Sequence, residues 1–143
     1  MSTTISSIYP VLMTDDVPRA HAFYARLLGL DDTYVSAWYV SLAAPGDEHV
    51  QLAVVDRGHE SVPAGFRAPT GGVLVTVETP DVDVVHARAA EAGLPLHVPL
   101  RDEPWGQRHF VTEDPDGTLV DVVAVIAPDD AHAGMYAEGA LPS

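Results

Sequence analysis

Apolar positions along this chain switch between two periods, and they do so twice in the same order. Residues 5–13 form an apolar-rich extended run. From Val17 the period lengthens. Val17, Ala20, Phe23, Tyr24, Leu27 and Leu28 recur at i, i+3, i+4, the stripe of an amphipathic helix. Asp16 stands where an N-cap belongs, Pro18 falls in the first turn, and Gly29 ends the helix. Strand-like runs follow at 33–35, 37–42 and 49–55, with the turn residues Ala44-Pro45-Gly46-Asp47 before the last. Residues 57–71 carry Pro and Gly without a period and read as a linker.

The pattern then restarts. Residues 72–77 alternate as a strand, with Val73, Val75 and Val77 on one face and Leu74 and Thr76 on the other. Thr79-Pro80-Asp81 opens a helix to about Ala92, closed by Gly93. A short strand at 96–98, a loop at 100–106 and a hairpin at 108–123 complete the series. The hairpin turns at Asp114-Pro115-Asp116-Gly117, where Pro presets φ and Gly accepts a positive one.

The order is therefore βαβββ, linker, βαβββ. The run 11–17 matches the run 75–82, each strand passing through an acidic turn into a helix, at a repeat of roughly 65 to 70 residues. This predicts an α+β fold. Two tandem βαβββ modules, about 5–56 and 72–126, are joined by a linker at 57–71 and followed by a tail at 127–143. They form one domain over 1–143, a curved, mostly antiparallel sheet around a cavity with the helices outside. A length of 143 residues is enough for such a core.

Composition narrows the partners. Net charge is −14, from 21 acids against seven arginines and no lysine, so the surface repels phosphate backbones and anionic membranes and attracts cationic small molecules. No apolar run is long enough to span a bilayer, and the N-terminus has no signal-peptide pattern, so a cytoplasmic location is expected. The absence of cysteine excludes disulfides, thiolate metal sites and cysteine nucleophiles.

Asp121 lies inside the run Leu-Val-Asp-Val-Val, where a carboxylate is costly to bury unless it is paired or bound. His109 lies in the same hairpin, opposite the Asp121 strand, and a His–Asp pair there reads as an acid–base site, a structural hydrogen bond or part of a polar binding wall. Aromatic residues are few. Trp38 and Tyr39 are adjacent in a strand, so they point to opposite faces. Val40 and Leu42 read as core-facing, which puts Tyr39 in the cavity and Trp38 with the helices. Trp105 sits in a polar loop, as a pocket wall or as a cover for the core edge. His21 and His86 occupy equivalent places in the two helices and read as helix surface. His59 and His132 read as exposed, and the tail as flexible or docked on a partner subunit.

Two motifs carry a family resemblance. Residues 14–29, Thr-Asp-Asp-Val-Pro-Arg-Ala-His-Ala-Phe-Tyr-Ala-Arg-Leu-Leu-Gly, and residues 114–121, Asp-Pro-Asp-Gly-Thr-Leu-Val-Asp, resemble the first helix and final hairpin of the vicinal oxygen chelate superfamily. This superfamily comprises glyoxalase I, extradiol dioxygenases, fosfomycin-resistance enzymes and bleomycin-binding proteins. The resemblance covers 5–126. Its metal-dependent members bind an ion with four inward side chains, and by position these fall here at Tyr9, Gln51, Leu74 and Asp121. Leu74 cannot ligate, Tyr9 and Gln51 are weak donors, and His49 is the one substitute on the Gln51 face. The resemblance thus implies the metal-free, bleomycin-resistance-like branch: a homodimer with no cofactor, no metal ligands and no catalytic residue, which sequesters an aromatic or cationic organic ligand. Tyr9, Trp38, Tyr39, Gln51, Trp105, His109 and Asp121 are the expected ligand-binding residues. The alternatives are a glyoxalase- or dioxygenase-like metalloenzyme, and a metal-independent lyase or isomerase using His109 with Asp121.

Overall fold

The computed structural model describes residues 2–142. Its elements are β1 (Val11–Thr14), α1 (Val17–Leu28), β2 (Asp31–Val35), β3 (Tyr39–Ala44) and β4 (Asp47–Asp56). A 3-10 turn (Ala64–Phe66) leads to β5 (Leu74–Glu78), α2 (Val82–Glu91), β6 (Val98–Glu103), β7 (Gln107–Glu113), β8 (Leu119–Val125) and α3 (Asp130–Ala133). The strands form two four-stranded sheets, ordered β1-β4-β3-β2 and β5-β8-β7-β6. In each, the strand before the helix pairs parallel with the last strand of its module, and the other pairings are antiparallel. The βαβββ repeat is thus present in both halves of an α+β fold.

The chain divides into two compact units. The first holds the first module together with Asp114–Asp116, and the second holds the rest of the second module and the tail. In the first, α1 lays Val17, Ala20, Tyr24 and Leu27 on the sheet, against buried Val40, Leu42, Leu52 and Val54. Asp16 caps the helix by accepting from Arg19 N at 3.0 Å. Gly29 ends it at φ +67, a left-handed conformation that glycine takes without strain. In the second unit, Val82, Val85 and Ala89 of α2 face a sheet whose buried residues include Val75, Phe110, Val120 and Val122. Because strand side chains alternate, each sheet keeps a second face turned away from its helix.

Three boundaries differ from the sequence reading. Residues 5–10 lie outside the first strand, which begins only at Val11. The expected short strand at 96–98 and loop at 100–106 are instead β6 at Val98–Glu103 and a tight turn at 104–106. The tail folds back on that turn: Asp129 N donates to Pro104 O at 2.8 Å and Ile126 N to Gly106 O at 3.0 Å. Tyr136 Oη donates to Trp105 O at 2.8 Å. No helix among the described residues is long and apolar enough to cross a membrane.

Candidate functional site

In the first unit, register places Tyr39, Ser41 and Ala43 of β3 beside Val55, Ala53 and Gln51 of β4, all on the face away from α1. Val11 and Met13 of β1 extend this face beside Ala53 and Val55. Tyr9, just before β1, joins it by a hydrogen bond with Tyr39. Burial first, then Tyr9, holds the Tyr39 phenol above its ordinary pKa. The Tyr34 ring meets Tyr39 edge-on at 6.1 Å. Three phenols therefore gather at one end of the face, Tyr9 42% and Tyr34 55% exposed. Toward the other end, past Gln51, a groove of about 490 Å³ is lined by Asp31, Asp47, Glu48 and His49 among others. This acid-lined groove was not foreseen, because Asp31 and Asp47 lie far apart in sequence and the β2–β3–β4 register alone joins them.

Trp38 has a different setting from the one expected. Its ring stacks on His59 at 3.7 Å and 6°, so its partner lies in the segment after β4 and not on a helix. The backbone explains this. Ser36 Oγ accepts from Tyr39 N at 3.0 Å, and Trp38 O accepts from Asp56 N at 2.8 Å; β3 begins only at Tyr39, which leaves Trp38 before the strand. His59 is thereby drawn into a stack, contrary to its reading as exposed. His132 is also part-covered and bonds Asp129, the N-cap of α3.

In the second unit, the face away from α2 carries His109 of β7 and Asp121 of β8. His109 Nδ1 lies 2.7 Å from Asp121 Oδ1, with the two residues 6% and 7% exposed. The strand pair that the hairpin closes sets this meeting, since Val111 sits opposite Asp121 and His109 opposite Val123. Trp105, 40% exposed, turns its ring edge to His109 at 6.2 Å and donates Nε1–H to Gln107 Oε1 at 2.8 Å. Two neighbours were missed by the sequence reading. Glu103 Oε2 lies 3.5 Å from His109 Nε2, and Arg101 Nε lies 2.8 Å from Glu103 Oε1. Both belong to β6, which had been read as loop.

The other histidines stand apart from this cluster. His21 Nε2 bonds Asp32 at 2.7 Å, and the His86 ring packs edge-on against Phe110 at 5.2 Å. Both are engaged with their own units and are not bare helix surface.

The four metal positions of the superfamily are a poor fit for a divalent ion. Leu74 offers no donor atom, Tyr9 is engaged with Tyr39, and Asp121 is engaged by His109. Among the described residues no group of three or more His, Cys, Asp or Glu is placed to hold a metal. Chemically, the second-unit cluster can orient a proton or a hydrogen-bonding group, and the first-unit face can stack and hydrogen-bond a ring.

Comparison with known proteins agrees with this architecture. The family model described as Glyoxalase/Bleomycin resistance protein/Dioxygenase superfamily matches residues 7–122. An uncharacterized protein of Mycobacterium bovis is 27% identical over 149 residues, covering 93% of this chain and 94% of that protein. Among solved structures, TnmS3, described as an antibiotic binding protein from Streptomyces sp. CB03234, superposes with a TM-score of 0.68. It is 23% identical, over 87% of this chain and 99% of that one. A lactoylglutathione lyase from Agrobacterium tumefaciens superposes with a TM-score of 0.64 at 21% identity, over 85% of this chain and 96% of that one. At such identities these likenesses show the fold.

Proposed function

The chain belongs to the Glyoxalase/Bleomycin resistance protein/Dioxygenase superfamily, and from that premise we propose that it is a metal-free small-molecule-binding member that sequesters an aromatic or cationic organic ligand. The observation that carries the reading is the chemistry of the four superfamily metal positions, where Leu74 cannot ligate and Asp121 is committed to His109. Each unit carries groups that suit an organic ligand. In the first, Tyr9, Tyr34 and Tyr39 offer ring faces and hydroxyls and Gln51 an amide; in the second, Trp105 offers an indole beside a buried His–Asp pair. The likeness in fold to an antibiotic binding protein is consistent with it. The net charge of −14 favours cations. The superfamily resemblance also carries a homodimer, which sedimentation equilibrium checks.

The test is a fluorescence titration with a panel of aromatic and cationic natural products. The two tryptophans report, and mass spectrometry follows the ligand. The expected result is saturable quenching with the ligand recovered unchanged. Turnover that requires a stoichiometric bound ion would overturn the reading in favour of a metalloenzyme. The His109–Asp121 contact of 2.7 Å favours a second reading, metal-independent lyase or isomerase chemistry. Turnover without metal, abolished by Asp121→Asn, is its signature.

A further inference from the structure

The second unit contains a hydrogen-bond acceptor that the protein itself leaves unused. Asp121, as a carboxylate, only accepts, so His109 Nδ1 carries the proton and donates it at 2.7 Å. In the neutral ring, Nε2 is then a lone pair. Nε2 is buried, and it is the one buried side-chain nitrogen or oxygen among the described residues with no hydrogen-bond partner. Glu103 Oε2 lies 3.5 Å from it, on a side chain 10% exposed, and it too is an acceptor. With the ring neutral, two acceptors cannot satisfy each other, and no hydrogen bond spans the gap. Arg101 takes the other Glu103 oxygen at 2.8 Å, which fixes the carboxylate with Oε2 toward His109.

Such a pair asks for one group bearing at least two N–H or O–H donors. Charge decides which. With the His109 ring neutral, Glu103 and Asp121 contribute two negative charges and Arg101 one positive, which leaves the cluster a net negative charge. A bridging water would satisfy the lone pairs and leave that charge in place, whereas a protonated amine satisfies both. The Trp105 ring, set T-shaped to the His109 ring at 6.2 Å, supplies apolar surface beside the same spot, and its 40% exposure marks the side from which a ligand enters.

We propose that His109 Nε2 and Glu103 Oε2 together form the seat for a protonated primary amine of the bound ligand, with Arg101 and Asp121 as the residues that position them. This rests on the binding function proposed above and narrows its ligand to an organic ammonium.

The test uses the full chain labelled with ¹⁵N-histidine. The His109 Nε2 resonance is followed during titration with methylammonium chloride, and with tetramethylammonium chloride, which has the same charge and no N–H donor. The expected result is a saturable shift with methylammonium only. Glu103→Gln, which replaces one charge-assisted contact at constant size, weakens it by about 10- to 100-fold. A shift that does not saturate, an equal shift with tetramethylammonium, or an unchanged affinity in Glu103→Gln would overturn the seat. Unchanged backbone amide shifts away from β6 and β7 show that the variant is folded. A parallel titration with 1-naphthylmethylamine and its N-acetyl derivative separates the seat from the wider reading. Equal affinity for the two would overturn the seat and leave a ligand-binding protein. Saturation by methylammonium with no binding of either naphthyl compound would keep the seat and remove the aromatic ligand.

Discussion

At the scale of single residues, the first unit turns on one buried hydrogen bond. Tyr24 Oη donates to Asp114 Oδ2 at 2.6 Å, the two residues 0% and 5% exposed. Asp116 of the same turn accepts from Thr14 Oγ1 at 2.7 Å and from Arg19 at 3.0 Å. Deleting the Tyr24 hydroxyl takes one donor from a buried carboxylate, so Tyr24→Phe is expected to cost about 1–3 kcal/mol, read from urea unfolding. The phenol also carries a pH signature. Burial, then the Asp114 bond and charge, hold its folded pKa far above the ordinary value of 10.0. Above that ordinary value the unfolded chain releases this proton and the folded chain keeps it. The Tyr24 contribution is therefore fully present below about pH 10 and declines as the pH rises beyond it. Wild-type stability should fall more steeply on the alkaline side than that of Tyr24→Phe. Parallel curves would mean that the bond carries no linkage. The sequence placed Tyr24 on the apolar stripe of α1 correctly but could not reveal the acceptor, because 90 positions separate it from Asp114.

At the scale of elements, the two helices look alike in sequence and start differently. Asp16 accepts from Arg19 N, whereas Asp81, with φ −95 and ψ 30, makes no side-chain cap bond. Asp16→Ala should therefore cost about 1 kcal/mol and Asp81→Ala less than about 0.5 kcal/mol in the same unfolding assay. The turn at 104–106 provides a sharper contrast. Gly106 has φ +108, and a Cβ there would meet Ile126 O and Tyr136 Oη at 3.0 Å. Gly106→Ala should lower the melting temperature and shift Trp105 emission as the tail contact opens; unchanged emission would show that the tail does not hold the turn. What was legible follows strand position. The central strands β4 and β8 are rich in apolar residues, and β7 is marked by the Asp-Pro-Asp-Gly turn that joins it to β8, so these three were legible. The edge strand β6 carries Pro99, Arg101, Asp102 and Glu103, residues that protect an edge from pairing and read as loop. Hence His109 and Asp121, on adjacent strands of a hairpin, were found together, while Arg101 and Glu103 were missed. Trp38 was misplaced because its surroundings depend on where β3 begins, which a serine hydroxyl decides.

At the scale of the whole molecule, charge is the dominant long-range term. Seven arginines face 21 carboxylates. Arg19, Arg57, Arg101 and Arg108 are committed to ion pairs with Asp116, Asp15, Glu103 and the Asp83–Asp102 pair. Most of these pairs are exposed on at least one side, so each is worth at most about 1 kcal/mol. The remaining carboxylates outnumber the remaining cations and repel one another through solvent. Two salt effects then oppose each other: screening weakens the few ion pairs and relieves the broader repulsion. With an excess of 14 negative charges the second should win. The melting temperature should therefore rise between roughly 20 and 500 mM sodium chloride, as the Debye length falls from about 20 Å to below 5 Å. The same screening acts on a ligand with the opposite sign. A cationic ligand is drawn in by this field, so its association rate should fall across that salt range, while the rate for an uncharged aromatic analogue stays level. Stopped-flow quenching at the two salt concentrations measures both. A protein that gains stability and loses cation on-rate together is one whose surface charge serves capture at the expense of folding. Loss of both with salt would mean that the ion pairs of these four arginines outweigh the excess of acids.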